Sequence, residues 1–244
     1  MPSFEQGHLT THPDALDVDW MAILPVGESM PSLVEPANMA KVEHDCGEPL
    51  IDVSEQFVCI ETYRQAGWKH SHTGTFVRSG ISDRLSEANA SLPDGFALVL
   101  FDGWRALNLQ EELFSAAYEE GSVPEGFLAP PNQERELPPP HVSGGTVDLT
   151  LSFDGIPLAL GTTFDCFNEH SLTAAFEFAD SPVRRLRRLL CQTMWAKDFI
   201  VYDSEWWHFE YGTPRWAAIR GVPGCYQRAT LQDHVTPSQE ALAP

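Results

Sequence analysis

The sequence contains few basic residues. Only 15 of its 244 residues are Lys or Arg, whereas 35 are Asp or Glu, and the formal net charge is -20. A surface with this charge repels the phosphates of nucleic acids and anionic lipid headgroups. We therefore expect neither a nucleic-acid partner nor a membrane partner.

Long apolar runs are missing as well. No stretch approaches the ~20 apolar residues that a membrane helix needs. The N-terminal stretch MPSFEQGHLTTHPDALDVDW has neither a basic leader nor an apolar run of the kind found in export signals. On this basis we expect a cytoplasmic protein.

The cysteines show no pairing pattern. There are five, an odd number, and they are widely spaced without a CxxC motif. This pattern indicates neither a disulfide framework nor a cysteine zinc site, so we expect free thiols with mostly structural roles. The five are Cys46, Cys59, Cys166, Cys191 and Cys225.

Apolar material for a core is present, with 43% hydrophobic residues. The run FALVLF at 96–101 predicts a buried strand, and the strict alternation from residue 145 predicts a half-buried strand with a polar face. Asp154-Gly155 then predicts a hairpin turn, and Ser181-Pro182 predicts the start of a helix, whose arginines we expect to offset acidic residues on the surface. The segment ALNLQEELFSAAYEEG predicts an amphipathic helix that ends at Gly121, and the prolines of 124–140 predict a loop without regular structure. Because helices and strands do not alternate regularly, we expect an α+β fold: a single compact domain with a central antiparallel sheet flanked by helices.

Two short stretches carry residues suited to metal chemistry. HVSGGTVD supplies His141 and Asp148, and EWWH supplies Glu205 and His208. A zinc peptidase needs about three protein ligands and a carboxylate that takes the proton of a water molecule, and these four residues suffice. Glu205 and His208 are an odd number of positions apart, so the backbone must turn near Glu205 for both to face one ion.

The combination HxxGxxxD and ExWH, preceded by DGWR, resembles the D-alanyl-D-alanine dipeptidases, the VanX-type branch of the zinc D,D-peptidases. The resemblance runs from about Glu61 to about Tyr211. It implies a zinc site on the central sheet and a small dipeptide as substrate. The residues that match the family motifs are His141, Asp148 and His208 as zinc ligands, Glu205 as general base, Arg105 as the transition-state arginine, and Asp165 as the group that holds the substrate ammonium.

The resemblance also sets the expected domain organisation. We expect an irregular N-terminal arm at 1–50, a zinc D,D-dipeptidase-like domain at 51–230 and a C-terminal tail at 231–244.

The sequence departs from the family pattern ahead of the first ligand. Family members commonly carry Ser-x-His there, whereas this chain has Pro139-Pro140-His141. Because this serine is missing, the sequence does not show whether the chain binds the substrate C-terminus as the family does. A D,D- or L,D-carboxypeptidase acting on cell-wall peptides is therefore an alternative function. A zinc-stabilised binding module is a further alternative, although such a module has no use for a general base. Asp165 is equally compatible with a salt bridge or a helix cap.

Overall fold

The computed structural model describes residues 2, 4, 6–31, 33, 35–119 and 128–231, and the account below covers these alone. None of the helices in this part of the chain has the length and apolar character needed to span a membrane. All of the predicted tail at 231–244 except Leu231 lies outside the described residues.

The helices are short to medium in length, and most lie against the sheet. They are α1 (Trp20–Ile23), α2 (Thr62–Ala66), α3 (Ser79–Ala90), α4 (Leu107–Glu119), α5 (Pro182–Trp195) and α6 (Pro214–Arg220). The predicted start of α5 is confirmed, because the Ser181 side chain accepts a hydrogen bond from the Arg184 amide and Pro182 occupies the first turn. The predicted end of α4 at Gly121 lies outside the described residues.

The strands form one large sheet and one small one. They are β1 (Leu50–Asp52), β2 (Val58–Cys59), β3 (Phe76–Arg78), β4 (Phe96–Asp102), β5 (Thr146–Phe153), β6 (Ile156–Pro157), β7 (Ile200–Val201) and β8 (His208–Glu210). In the described part of the chain the large sheet has the order β2-β4-β5-β8-β7, with β6 paired to β5, while β1 and β3 pair separately. The β2–β4 pair is parallel and the other pairs are antiparallel. The expected α+β domain with a central, largely antiparallel sheet is confirmed.

Strand β5 is more deeply buried than its alternating sequence predicts. Val147 and the other apolar side chains lie in the main core. The opposite face is also closed, since Thr146 and Thr150 are 0% exposed and Asp148 is 2% exposed. The prediction of a half-buried strand is therefore wrong. Part of the polar face is covered by the chain after β6, where the Thr150 hydroxyl donates to the Leu158 carbonyl. Asp148, on the same face, lines the cavity described below.

The arginines of α5 are not mainly surface charges. We expected them to offset acidic residues on the surface, but Arg187 is only 2% exposed. Its guanidinium donates to the backbone carbonyls of Leu160, His170 and Leu172. A loop wraps around the helix here, and its carbonyl groups would lack donors without this side chain.

The N-terminal region packs on the rest of the molecule. Trp20 and Leu24 belong to the main core, and the Cys46 amide donates to the Cys225 carbonyl. The placement of a domain boundary near residue 50 stays a prediction. The predicted proline-rich loop at 124–140 has neither helix nor strand over its described residues 128–139, and a 3-10 turn, Pro140–Ser143, follows it.

Candidate metal centre and active site

Three buried side chains, those of His141, Asp148 and His208, converge on one point. One ligand atom of each lies within 4.8 Å of the other two. His141 belongs to the 3-10 turn before β5, which ends at Gly144 with a φ of 76°. Asp148 in β5 is paired with His208, the first residue of β8. Since paired residues of antiparallel strands project to the same face, this register brings the two side chains together.

The two imidazole rings are held by hydrogen bonds from the nitrogens that face away from this point. Nδ1 of His141 donates to the Gly103 carbonyl at 2.8 Å, and Nε2 of His208 donates to Oε1 of Glu210 at 3.0 Å. When the rings are neutral, the other ring nitrogens carry lone pairs. Nε2 of His141 lies 3.2 Å from Oδ2 of Asp148, and Nδ1 of His208 lies 3.1 Å from Oδ1.

This arrangement suits a cation. Lone pairs that face carboxylate oxygens at these distances repel one another unless a positive charge lies between them. Oδ1 of Asp148 is buried and accepts no hydrogen bond. Burial lowers the pKa of His208, but the neighbouring carboxylates of Asp148 and Glu210 outweigh this effect and raise it to about 10. The cluster therefore stabilises positive charge at its centre, and its donor set of two imidazoles and one carboxylate fits zinc.

Comparison with known proteins identifies the family. A family model described as D-Ala-D-Ala dipeptidase, Peptidase M15, matches residues 54–222. The chain belongs to this peptidase family. As a member of the D-Ala-D-Ala dipeptidase family it is a zinc metallopeptidase.

Two relatives of this family are bacterial enzymes. The D-alanyl-D-alanine dipeptidase of Synechocystis sp. (strain ATCC 27184 / PCC 6803 / Kazusa) is 27% identical over 71% of this chain and 85% of the relative. The D-alanyl-D-alanine dipeptidase of Escherichia coli (strain K12) is 24% identical over 66% of this chain and 79% of the relative.

Two solved structures match at lower similarity. One is a mutant of the vancomycin resistance D,D-pentapeptidase VanY from a VanB-type resistance cassette in complex with Zn(II), with 19% identity and a TM-score of 0.42 over 80% of this chain and 94% of that chain. The other is VanYB in complex with D-alanine-D-alanine, with 18% identity and a TM-score of 0.41 over 80% of this chain and 93% of that chain.

Glu205 lies next to the metal cluster, which consists of His141, Asp148 and His208, in the turn that precedes β8. The His208 amide donates to the Glu205 carbonyl, so the chain turns between these residues, as their odd spacing predicts. The Glu205 carboxylate is 3.6 Å from Nδ1 of His208, and burial raises its pKa to about 7. A carboxylate that titrates near neutral pH is well suited to accept and return a proton. Trp206 and Trp207, which separate the two residues, are buried packing residues.

Arg105 lies on the other side of Asp148. Its guanidinium donates to Asp102 at 2.9 Å, to Gln110 at 2.8 Å and to the Tyr63 hydroxyl at 3.1 Å. Nη2 is 3.9 Å from the Asp148 carboxylate. These partners fix a positive charge beside the metal cluster before any substrate arrives.

Asp165 is a buried carboxylate with few donors. It is 5% exposed, and it accepts a hydrogen bond from the Tyr63 hydroxyl at 2.9 Å. Burial raises its pKa well above the usual range, and the negative charges of Asp148 and Glu205 add to this effect. A positive group that entered the cavity beside Asp165 would restore the charged carboxylate.

All six predicted site residues line a single cavity, so the structure brings the whole set together. They are Arg105, His141, Asp148, Asp165, Glu205 and His208. Their positions are observed, whereas the individual roles assigned to them stay predictions. Elsewhere in the described residues, no other group of three His, Cys, Asp or Glu side chains has a geometry that could hold a metal ion.

Sequence reasoning missed several residues of the site, namely Tyr63, Gln110, Tyr202, Glu210 and Arg215. A signal existed for Glu210, because residues two apart on a strand share a face and Glu210 follows His208 at that spacing. The others come from distant segments that only the fold brings to the cavity, and no local pattern marks them.

Proposed function

We propose that the protein hydrolyses a free dipeptide, most specifically D-alanyl-D-alanine, with Glu205 as general base and Arg105 stabilising the transition state. The coarser activity follows from the family, whose members are zinc D,D-peptidases acting on D-Ala-D-Ala or cell-wall peptides. The observation that carries the finer proposal is the position of Asp165, a buried carboxylate in the same cavity as the metal cluster.

Zinc bound by His141, Asp148 and His208 would supply a Lewis acid that lowers the pKa of water towards ~7 and polarises the scissile carbonyl. Glu205 accepts the proton of the attacking water and then delivers it to the leaving amine. Its pKa of about 7 makes both transfers accessible near neutral pH. Arg105 provides fixed positive charge for the oxyanion that develops on the substrate carbonyl oxygen.

Asp165 gives the proposed reaction its length requirement. Its carboxylate pairs with the free ammonium of the substrate, and burial strengthens this pairing because water does not compete. An acylated substrate has no ammonium group and leaves the carboxylate unpaired. The cavity then favours free dipeptides over longer peptides.

Three substrates test this proposal. We expect the zinc-loaded protein to release amines from D-Ala-D-Ala, and to release far less from L-Ala-L-Ala and from N-acetyl-D-Ala-D-Ala. Equal cleavage of the acetylated peptide would favour the carboxypeptidase alternative. Zinc binding with no cleavage of any substrate would favour the zinc-binding module. The cytoplasmic location and the lack of a nucleic-acid partner stay predictions from the sequence.

A further inference from the structure

A free dipeptide carries a carboxylate as well as an ammonium group, and that carboxylate needs a positive partner in the cavity. Two arginines, Arg105 and Arg215, line the part of this cavity that the structure describes. They differ in how much of their hydrogen-bonding capacity is already used, and this difference assigns them to different tasks. The inference rests on the dipeptidase function proposed above.

Arg105 has little capacity left for a second anion. Nε and Nη2 both donate to Asp102, Nη1 donates to Gln110, and Nη2 also donates to Tyr63. A guanidinium has five N–H groups, so one remains. A single N–H suits an oxyanion, but it does not form the two parallel bonds with which arginine usually binds a carboxylate.

Arg215, near the start of α6, is held in place without using its donors fully. Its guanidinium lies 3.9 Å from the centre of the Tyr202 ring. The carboxylates of Glu210 and Glu35 lie 3.5 and 3.7 Å from Nε, yet Nε and Nη1 make no hydrogen bond. Stacking and charge therefore fix the side chain, which is 12% exposed.

Glu210 forms an ion pair with Arg215 at 3.5 Å but accepts no hydrogen bond from its Nε or Nη1. Its Oε1 accepts a hydrogen bond from His208 and its Oε2 accepts one from the Thr213 hydroxyl. Buried N–H groups without an acceptor carry a substantial desolvation cost. A carboxylate that enters from the cavity would accept hydrogen bonds from the Arg215 guanidinium and so remove this cost.

The two charged ends of the cavity are linked by contacts to different members of the metal cluster. Contacts lead from Asp165 through Tyr63 and Arg105 to Asp148. Separate contacts lead from His208 through Glu210 to Arg215. A zwitterionic dipeptide with its ammonium at Asp165 and its carboxylate at Arg215 would thus span the cluster and place its only amide bond there.

Two of the residues that line a groove together with Arg215 have no backbone donor to offer a carboxylate. Pro139 and Pro140 line the same neighbouring groove as Arg215, and proline has no backbone N–H. We propose that Arg215 binds the C-terminal carboxylate of the substrate and sets the specificity for a free C-terminus.

The test compares D-Ala-D-Ala with its C-terminal amide, measured by chromatography of the released D-alanine or D-alaninamide. The wild type should prefer the acid by ~10- to 100-fold in kcat/KM, the range expected for a charge-assisted pair. Arg215→Met should bring the acid-to-amide ratio close to one. Arg215→Lys keeps the charge but loses the planar fork, and should retain part of the preference.

The acid-to-amide ratio within each variant does not depend on how much of the protein is folded or loaded with zinc. This independence is needed because Arg215 contacts Glu210, which in turn holds the metal-cluster residue His208. Arg220→Met is the matched control on the same helix, since Arg220 stacks on Trp195 and lies outside the cavity lining. It should keep the wild-type ratio. If Arg215→Met also keeps that ratio, Arg215 does not bind the carboxylate. A wild type that cleaves neither substrate overturns the dipeptidase function itself, and this inference with it.

Discussion

Glu205 combines the two properties that a general base needs at the scale of a single residue. It lies beside the metal cluster, 3.6 Å from the ring of His208, and burial raises its pKa to about 7. The residue is 6% exposed, so a neutral replacement of the same shape should be accommodated without repacking.

Glu205→Gln keeps the shape and the hydrogen-bonding capacity of the side chain but cannot accept a proton. We expect zinc content to stay at about one per chain while kcat falls by at least ~100-fold, the usual scale for loss of a general base. Metal analysis and steady-state kinetics on one preparation measure both quantities. Glu169→Gln, which changes an exposed carboxylate, serves as control. A kcat within a few-fold of the wild type would remove Glu205 from the mechanism.

Asp165 has an unusual backbone conformation for a residue other than glycine. Its φ of 57° lies in the left-handed region, where asparagine is tolerated better than most residues. Asp165→Asn therefore removes the charge with little backbone strain, whereas replacement by alanine would remove the charge and also strain the backbone.

We expect Asp165→Asn to lower kcat/KM for free D-Ala-D-Ala by ~10- to 100-fold, because a charge-assisted bond to the substrate ammonium is lost. Zinc content should not change. Asp154→Asn is a matched control, since Asp154 also has a positive φ, of 48°, but is exposed in the β5–β6 turn. If the Asp165 variant retains full activity, its carboxylate has a structural role.

At the scale of elements, what the sequence predicts depends on element length. Strands β4 and β5 have seven and eight residues, enough for an apolar run or an alternation to show. Strands β2, β6 and β7 have two residues each, which is too short to carry a period. Their pairing depends on neighbours supplied by the fold.

The site residues likewise divide into those that a local sequence pattern shows and those that only the fold brings to the cavity. His141, Asp148, Glu205 and His208 stand in two compact motifs whose spacing is visible in the sequence. Tyr63, Gln110 and Arg215 reach the cavity from other segments, and their roles depend on which donors the folded structure leaves unused.

An ion pair between Glu177 and Arg188 joins α5 to two loops. Glu177 also accepts a hydrogen bond from the Met30 amide, and Arg188 donates to the Val26 carbonyl. The hydrogen bond from Arg188 lowers the pKa of Glu177. The Arg188 side chain is only 10% exposed and that of Glu177 only 12%, so solvent screens the pair weakly.

Glu177→Gln should lower the free energy of unfolding by about 1.5 to 3 kcal/mol at pH 7, the range for a hydrogen bond to a charged group. Because the folded-state pKa is depressed, this contribution is complete above the unfolded pKa of about 4.3 and is lost as the pH falls through the lower folded value. Urea unfolding at pH 7 and below pH 4 should show the difference between variant and wild type shrinking. Asp180→Asn, whose carboxylate is 77% exposed beside Arg184, should change stability by less than ~1 kcal/mol at either pH. A Glu177 difference that does not vary with pH would contradict this explanation.

At the scale of the whole molecule, the metal cluster connects segments that are far apart in the sequence. His141 precedes the central strand β5, and His208 begins β8. An ion bound by both would stabilise the native state and not the unfolded chain, so zinc and folding are linked.

We expect zinc at ~1,000-fold excess over its dissociation constant to add about 4 kcal/mol of stability. For a chain of this size that corresponds to a rise in Tm of about 10 °C. Calorimetry with and without a chelator measures the shift. His208→Ala should show little of it, and a full shift in that variant would place the zinc elsewhere.

The position of β5 between β4 and β8 has a consequence for synthesis on the ribosome. When β4 and β5 have emerged, Arg105, His141 and Asp148 are present, but the strand that brings His208 has not yet been made. The nascent chain then offers only two of the three ligands and no general base. We infer that the ion enters late, after β8 has been made and the long-range strand pairs have closed. A nascent chain stalled with residue 203 outside the exit tunnel should yield zinc readily to a competing chelator, whereas retention as tight as in the released protein would contradict a late entry.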